Sequence, residues 1–153
     1  MLTADDMAPD FTLPATTGQD VTLSALRPAP VVLFFYPRDN TSGCTKESKQ
    51  FSELLGEFEA AGARVFGISK DDMASHDKFI AKQELTVPLL TDADSDVCEK
   101  FGVWAEKKMY GKTFMGIVRA TFLIDGTGRI ARAWPKVKVD GHAAEVLEAV
   151  KAL

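Results

Sequence analysis

The run VVLFFY, from Val31 to Tyr36, constrains this chain more than any other feature of it. β-Branched and aromatic side chains favour extended backbone, and an apolar run without alternation marks a strand covered on both faces. Such a strand needs packed layers above and below it, and the flanking sequence supplies them. Phe51, Leu54, Leu55 and Phe58 recur at i, i+3, i+4 and i+7, which predicts a helix that starts near Cys44 and ends at Gly62. The chain therefore reads as α/β.

Further elements alternate in the same way. RVFGIS (64–69) predicts a second strand. A helix then follows, with Asp72 or Ser75 as its cap and Phe79 and Ile80 on its apolar side. VPLLTD (87–92) reads as another strand, and Val97 with Phe101 as a short helix. The stretch GVWAEKKMYGKTFMG (102–116) has no clear period and is expected to be a long loop. IVRATFLID and RIARAWP, around Gly126-Thr127-Gly128, predict a hairpin. Ala143, Val146, Leu147 and Val150 mark a closing helix capped by Asp140. Upstream, segments 10–13 and 20–23 flank Thr17-Gly18 and predict an N-terminal β-hairpin, with Ser24 placed to open a short helix. The expectation is one domain over residues 1–153, built as a mixed β-sheet flanked by helices.

Composition narrows the function classes. The 153 residues carry a net charge of −4 with both signs scattered, which argues against a nucleic-acid partner. No apolar run approaches the roughly 20 residues of a membrane span, and MLTADDMAPD lacks the basic-then-apolar layout of a signal peptide. The expectation is a soluble cytoplasmic protein. Its two cysteines, Cys44 and Cys98, lie far apart and have neither CxxC nor zinc-ligand spacing, so a structural disulfide and a metal are both unsupported. DADSD (92–96) imitates the start of a calcium loop but fails where Val97 and Val103 stand at the glycine and glutamate positions. Lys107, Lys108 and Lys112 read as a solvated face. His76 and His142 lie in segments rich in charged or small residues and are expected to be exposed, which leaves Cys44 without the imidazole that a cysteine hydrolase requires.

Cys44 falls where the strand gives way to the helix. In an α/β sheet that junction forms a ligand crevice, and a helix N-terminus favours thiolate over thiol. Thr41, one helical turn earlier, can point its hydroxyl into the same mouth, and Pro37 fixes the backbone that leaves the strand and can shield the sulfur. The competing reading is a packing cysteine, with Thr41 as helix cap and Pro37 as turn punctuation.

Pro-x-x-x-Thr-x-x-Cys, read from Pro37 to Cys44, resembles the active-site motif of peroxiredoxins, and FFYPRDNTSGCTKE is similar to the bacterioferritin comigratory protein or peroxiredoxin Q branch. The resemblance extends through APDFTLP (8–14), VVLFFYP (31–37) and GIVRATFLIDGTG (116–128). It implies a thioredoxin-like fold and reduction of hydrogen peroxide and small organic hydroperoxides, without metal or flavin. Cys44 would be the attacking thiolate, Thr41 and Pro37 its motif partners, and Arg119 the distant arginine that completes the pocket. Attack on the near peroxide oxygen gives a sulfenic acid, and an arginine can stabilise both the thiolate and the departing oxygen.

Two departures from the branch stand out: Ser42 where TPGCT is frequent, and Lys49 where many members carry a resolving cysteine. Cys98 is the remaining candidate for a resolving cysteine, but its neighbours Val97 and Phe101 favour a core position. Recycling is therefore expected from thioredoxin or another external thiol, on a monomer, as the resemblance implies. The alternative is a thiol-based redox sensor or thioredoxin-fold binding protein. A disulfide oxidoreductase is disfavoured by the missing CxxC.

Overall fold

The computed structural model describes residues 1–153. A five-stranded sheet forms its centre: β3 (Val31–Phe35), β4 (Arg64–Ser69), β5 (Leu89–Thr91), β8 (Ala120–Ile124) and β9 (Ile130–Trp134), in the order β5-β4-β3-β8-β9. β3 runs parallel to β4 and antiparallel to β8. The remaining strands form two separate pairs, β1 (Thr12–Leu13) with β2 (Val21–Thr22), and β6 (Trp104–Met109) with β7 (Lys112–Ile117). The helices are α1 (Ser42–Ala60), α2 (Met73–Gln83), α3 (Val97–Lys100) and α4 (His142–Lys151). No helix is long and apolar enough to cross a membrane.

All residues of β3 are buried, as the apolar run requires, and successive side chains divide between two cores. Val32, Phe34 and Tyr36 face one core with Cys44, Phe51 and Phe58 of α1, Phe79 of α2 and Val146 of α4. Val31, Leu33 and Phe35 face the other core with Leu13, Val21, Cys98, Phe101 and Phe122. Aromatic contacts fix both layers. Phe34 stacks on Phe51 at 4.4 Å, and Phe35, Phe101 and Phe122 make a cluster on the opposite face.

Several sequence expectations are corrected. Residues 102–116 are no loop: β6 and β7 form a hairpin through Tyr110-Gly111, both at positive φ, the geometry of a two-residue primed turn. The period was hidden because both faces of this ribbon are largely exposed, so neither had to be apolar. The run IVRATFLID is two pieces, since Ile117 closes β7 and Ala120 opens β8. Asp140 does not cap α4, which starts from Gly141 in the left-handed region, and instead pairs with Lys46. Asp72 does cap α2, accepting from the Ser75 N–H at 2.8 Å.

Gly67 shows how tightly the sheet centre is filled. A Cβ there would meet the Phe34 ring at 2.7 Å and Leu89 at 2.8 Å. Gly67→Ala should therefore destabilise the fold by about 1–3 kcal/mol, the usual range for overpacking. Urea denaturation measures it.

Candidate functional site

The register of β3 against β8 brings the candidate residues together. Phe35 pairs with Ala120, so the chain leaving β3 through Tyr36 and Pro37 and the chain entering β8 through Arg119 meet at the same end of the sheet. Beyond Pro37 the chain turns through Asp39 and through Asn40 in the left-handed conformation, and enters α1. Thr41 is the N-cap and Cys44 the third helical residue, within the turn whose N–H groups lack helical partners.

Cys44 is only 1% exposed, which alone would suit a packing cysteine. Its neighbour argues otherwise. Arg119 Nη2 donates to Cys44 Sγ at 3.1 Å, and Nη1 donates to Glu47 Oε1 at 2.7 Å. A cation is not placed against a neutral packing thiol without cost, whereas it stabilises a thiolate directly. Burial works against the charge of Arg119, but Glu47 and Cys44 outweigh it and hold the guanidinium more firmly protonated than usual.

Glu47 was not anticipated from the sequence. Its place one turn after Cys44 on α1 could have suggested it. Burial pushes its carboxyl up to about 7, partly offset by Arg119, and Oε2 has no hydrogen-bond partner. Gly43 also belongs to the site, because a Cβ there would stand 3.1 Å from Arg119 Nη2. Lys107, half-buried, donates to the Ile117 carbonyl, and burial followed by Arg119 lowers its pKa.

The other sequence candidates fall as follows. The Thr41 hydroxyl donates to the Arg38 carbonyl at 3.0 Å rather than to the sulfur, and its side chain makes no capping bond. Pro37 is exposed at the head of the loop. Cys98 is fully buried in the opposite core from Cys44, and burial, then the charge of Asp92, pushes its thiol strongly up. Asp92, read as a false calcium ligand, accepts from the Val97 and Cys98 N–H groups and pairs with Lys70. Both histidines are buried, against expectation. His142 meets the Thr121 hydroxyl at 2.8 Å, and burial lowers its pKa to about 4. His76 sits behind the loop that leads into α1.

The mixed sheet with helices packed on both faces is the thioredoxin-like fold of the peroxiredoxins, a class of thiol-dependent peroxidases. The chain belongs to the AhpC/TSA family, whose profile matches residues 4–133. Within the family it falls in the Bcp/peroxiredoxin Q branch of thiol-dependent peroxidases. It is 49% identical over 140 residues to the putative peroxiredoxin bcp of Coxiella burnetii, covering 92% of this chain and 93% of the relative. It is 40% identical over 150 residues to peroxiredoxin Bcp of Escherichia coli, covering 98% and 96%. Among solved structures, Xylella fastidiosa PrxQ superposes with a TM-score of 0.93 at 43% identity, over 99% of this chain and 97% of that one. A Xanthomonas campestris bacterioferritin comigratory protein, studied for its alkyl peroxide reduction activity, superposes at 0.87 with 46% identity, over 93% and 90%.

Two consequences can be measured. Gly43→Ala gains up to ~1 kcal/mol of helix propensity, which the shift of a few tenths of an ångström forced on Arg119 by the new methyl offsets, so net stability should change by less than about 1 kcal/mol. The reaction with peroxide should slow by about tenfold, because those few tenths of an ångström move the guanidinium off Cys44 Sγ. Thermal melting and stopped-flow oxidation separate the two effects.

Glu47 makes stability depend on pH. Its folded pKa lies above the ordinary value of 4.5, so its contribution is fully present below about 4.5 and is lost as pH rises through about 7. Relative to Glu47→Gln, wild type should lose about 3 kcal/mol between pH 4.5 and pH 7.5. Urea unfolding of both proteins across that range checks the slope.

Proposed function

We propose that Cys44 is the thiolate that attacks the peroxide, in a one-domain cytoplasmic monomer that reduces hydrogen peroxide and organic hydroperoxides. The observation that carries this reading is the 3.1 Å contact from Arg119 to Cys44 Sγ in the first turn of α1. The thiolate displaces the far oxygen of the O–O bond: a sulfur–oxygen bond forms, the peroxide is reduced to an alcohol or water, and Cys44 becomes a sulfenic acid. Arg119 stabilises the negative charge as it moves from sulfur to the departing oxygen, which then takes a proton. The sulfenic acid condenses with a thiol, releasing water, and a second thiol reduces the mixed disulfide.

That thiol comes from outside the chain, with thioredoxin or a similar dithiol protein first in order. Lys49 occupies the local resolving position, and Cys98 lies on the far side of the sheet with a thiol disfavoured as a nucleophile. Thr41 and Pro37 act through the loop: Thr41 ties it to Arg38, and Pro37 sets its exit from β3. The cytoplasmic assignment rests on two isolated free cysteines, which suit a reducing compartment, and the monomer on the branch resemblance. The organic substrates follow the alkyl peroxide activity of the X. campestris relative.

Steady-state peroxide consumption with thioredoxin, its reductase and NADPH tests the reading. Cys44→Ser should remove turnover and leave the fold intact, while Cys98→Ala should keep at least about half of it. Recycling lost in Cys98→Ala, with a Cys44–Cys98 disulfide in oxidised wild type by intact mass, would refute the external-thiol assignment. A single oxidation without turnover would favour a sensor.

A further inference from the structure

The loop from Pro37 to Thr41 is anchored at one residue. Asp39, whose side chain is 1% exposed, accepts from the Tyr36 hydroxyl at 2.7 Å and the Ser75 hydroxyl at 2.8 Å, while its own N–H donates to Asp71 Oδ2 at 2.9 Å. His76 completes the anchor. Its Nδ1 lies 2.7 Å from Asp39 Oδ2 and its Nε2 2.9 Å from the Leu90 carbonyl. The carbonyl can only accept, and the carboxylate already takes two hydroxyl donors. A neutral imidazole has one N–H, so filling both positions requires the imidazolium.

We propose that His76, held as a buried imidazolium between Asp39 and Leu90, is a positioning residue that locks the Pro37–Thr41 loop and with it the head of α1 where Cys44 meets Arg119. The proposal rests on Cys44 being the thiolate that attacks the peroxide. The loop has no strand or helix of its own, so what holds its two ends sets its position. The far end is Cys44 and Glu47 on Arg119, and the near end is Asp39 on His76. β5 and α2 are thereby tied, through Leu90, Ser75 and His76, to the loop that leads into α1.

The groups facing the ring favour its charge. Asp39 lies on the β3–α1 loop, Asp71 between β4 and α2, the Leu90 carbonyl on β5, and the Tyr36 ring, just past the end of β3, is 6.4 Å away between centroids. Burial works against the imidazolium, but the hydrogen bond and charge of Asp39, the Leu90 carbonyl and Asp71 outweigh it, so the pKa is raised. Tyr36 is pushed well above its ordinary value by burial and then Asp39, and stays neutral. A raised histidine stabilises the fold below its unfolded pKa of about 6.5, and that stabilisation is lost as pH rises through the folded value.

The test has two arms. In the first, 15N-resolved imidazole spectra of the wild-type protein should find both His76 nitrogens protonated at pH 7.5, and one bare nitrogen would overturn the proposal whatever Cys44 does. In the second, His76→Gln is reacted under single turnover with hydrogen peroxide and, separately, with iodoacetamide. Peroxide oxidation of Cys44 should fall by between about 10- and 100-fold, because it needs Arg119 aligned on both the sulfur and the departing oxygen, while alkylation, which needs Arg119 only for the thiolate, should fall at least about threefold less. Equal losses in both reactions, or none, in a folded variant would overturn the proposal. If His76→Gln does not fold, Ser75→Ala, which removes another donor to the same carboxylate, carries the second arm with an expected loss of about threefold in the peroxide reaction alone, and an unchanged rate counts against it. Wild type that fails to oxidise at Cys44, with His76 still an imidazolium, would instead dismiss the peroxidase assignment of Cys44.

Discussion

A buried guanidinium holds the site together. Arg119 is one cation facing two groups that can be anions, the thiol of Cys44 and the carboxyl of Glu47, and all three are largely out of water. One positive charge cannot fully compensate two negative ones in such a place, so something must give. The carboxyl gives: burial raises it to about 7, within reach of neutral pH. Arg119 stays charged between the two, held so by Glu47 and Cys44 against its own burial. Gly43 belongs to the same arrangement, since any side chain there would press on the guanidinium.

The sheet brings these groups together through a register that is simple once seen. An antiparallel neighbour of β3 must begin where β3 ends, so the residue ahead of β8 and the loop behind β3 emerge side by side. Arg119 follows Cys44 by 75 positions and still reaches its sulfur without a long detour of either chain. The aromatic packing of Phe34 on Phe51 sets α1 across the sheet, and this fixes where the head of the helix lies relative to that edge.

What the sequence disclosed follows from how each feature is encoded. The fully buried β3 and the amphipathic α1 were legible because burial dictates residue type there, and so was the core position of Cys98 beside Val97 and Phe101. The β6–β7 ribbon was not, because solvent on both faces leaves no alternation to read. The break at Val118–Arg119 was hidden inside a run that looks like one strand, although it aims Arg119. Glu47 and His76 were invisible for another reason. Charged and polar residues in helices are usually exposed, and only the distant partners Arg119 and Asp39 reverse that. Pairs made across the fold leave no local trace in the sequence.

The two cysteines show how little the residue type itself decides. Both are buried, free and near a helix N-terminus. Cys44 faces a guanidinium, whereas Cys98 has Asp92 beside it, a negative charge that opposes thiolate formation and is itself occupied with the N–H groups of α3. The same dipole that would favour an anion at the head of α3 is thus already satisfied by a carboxylate. Cys98 also packs among Val31, Leu33 and Phe35, while Cys44 packs with Val32, Phe34 and Tyr36, so the full thickness of the sheet lies between the two sulfurs. Burial first and Asp92 second hold Cys98 as a thiol, whereas Cys44 meets a guanidinium, and the alternation of side chains along β3 keeps the two on opposite faces of the sheet.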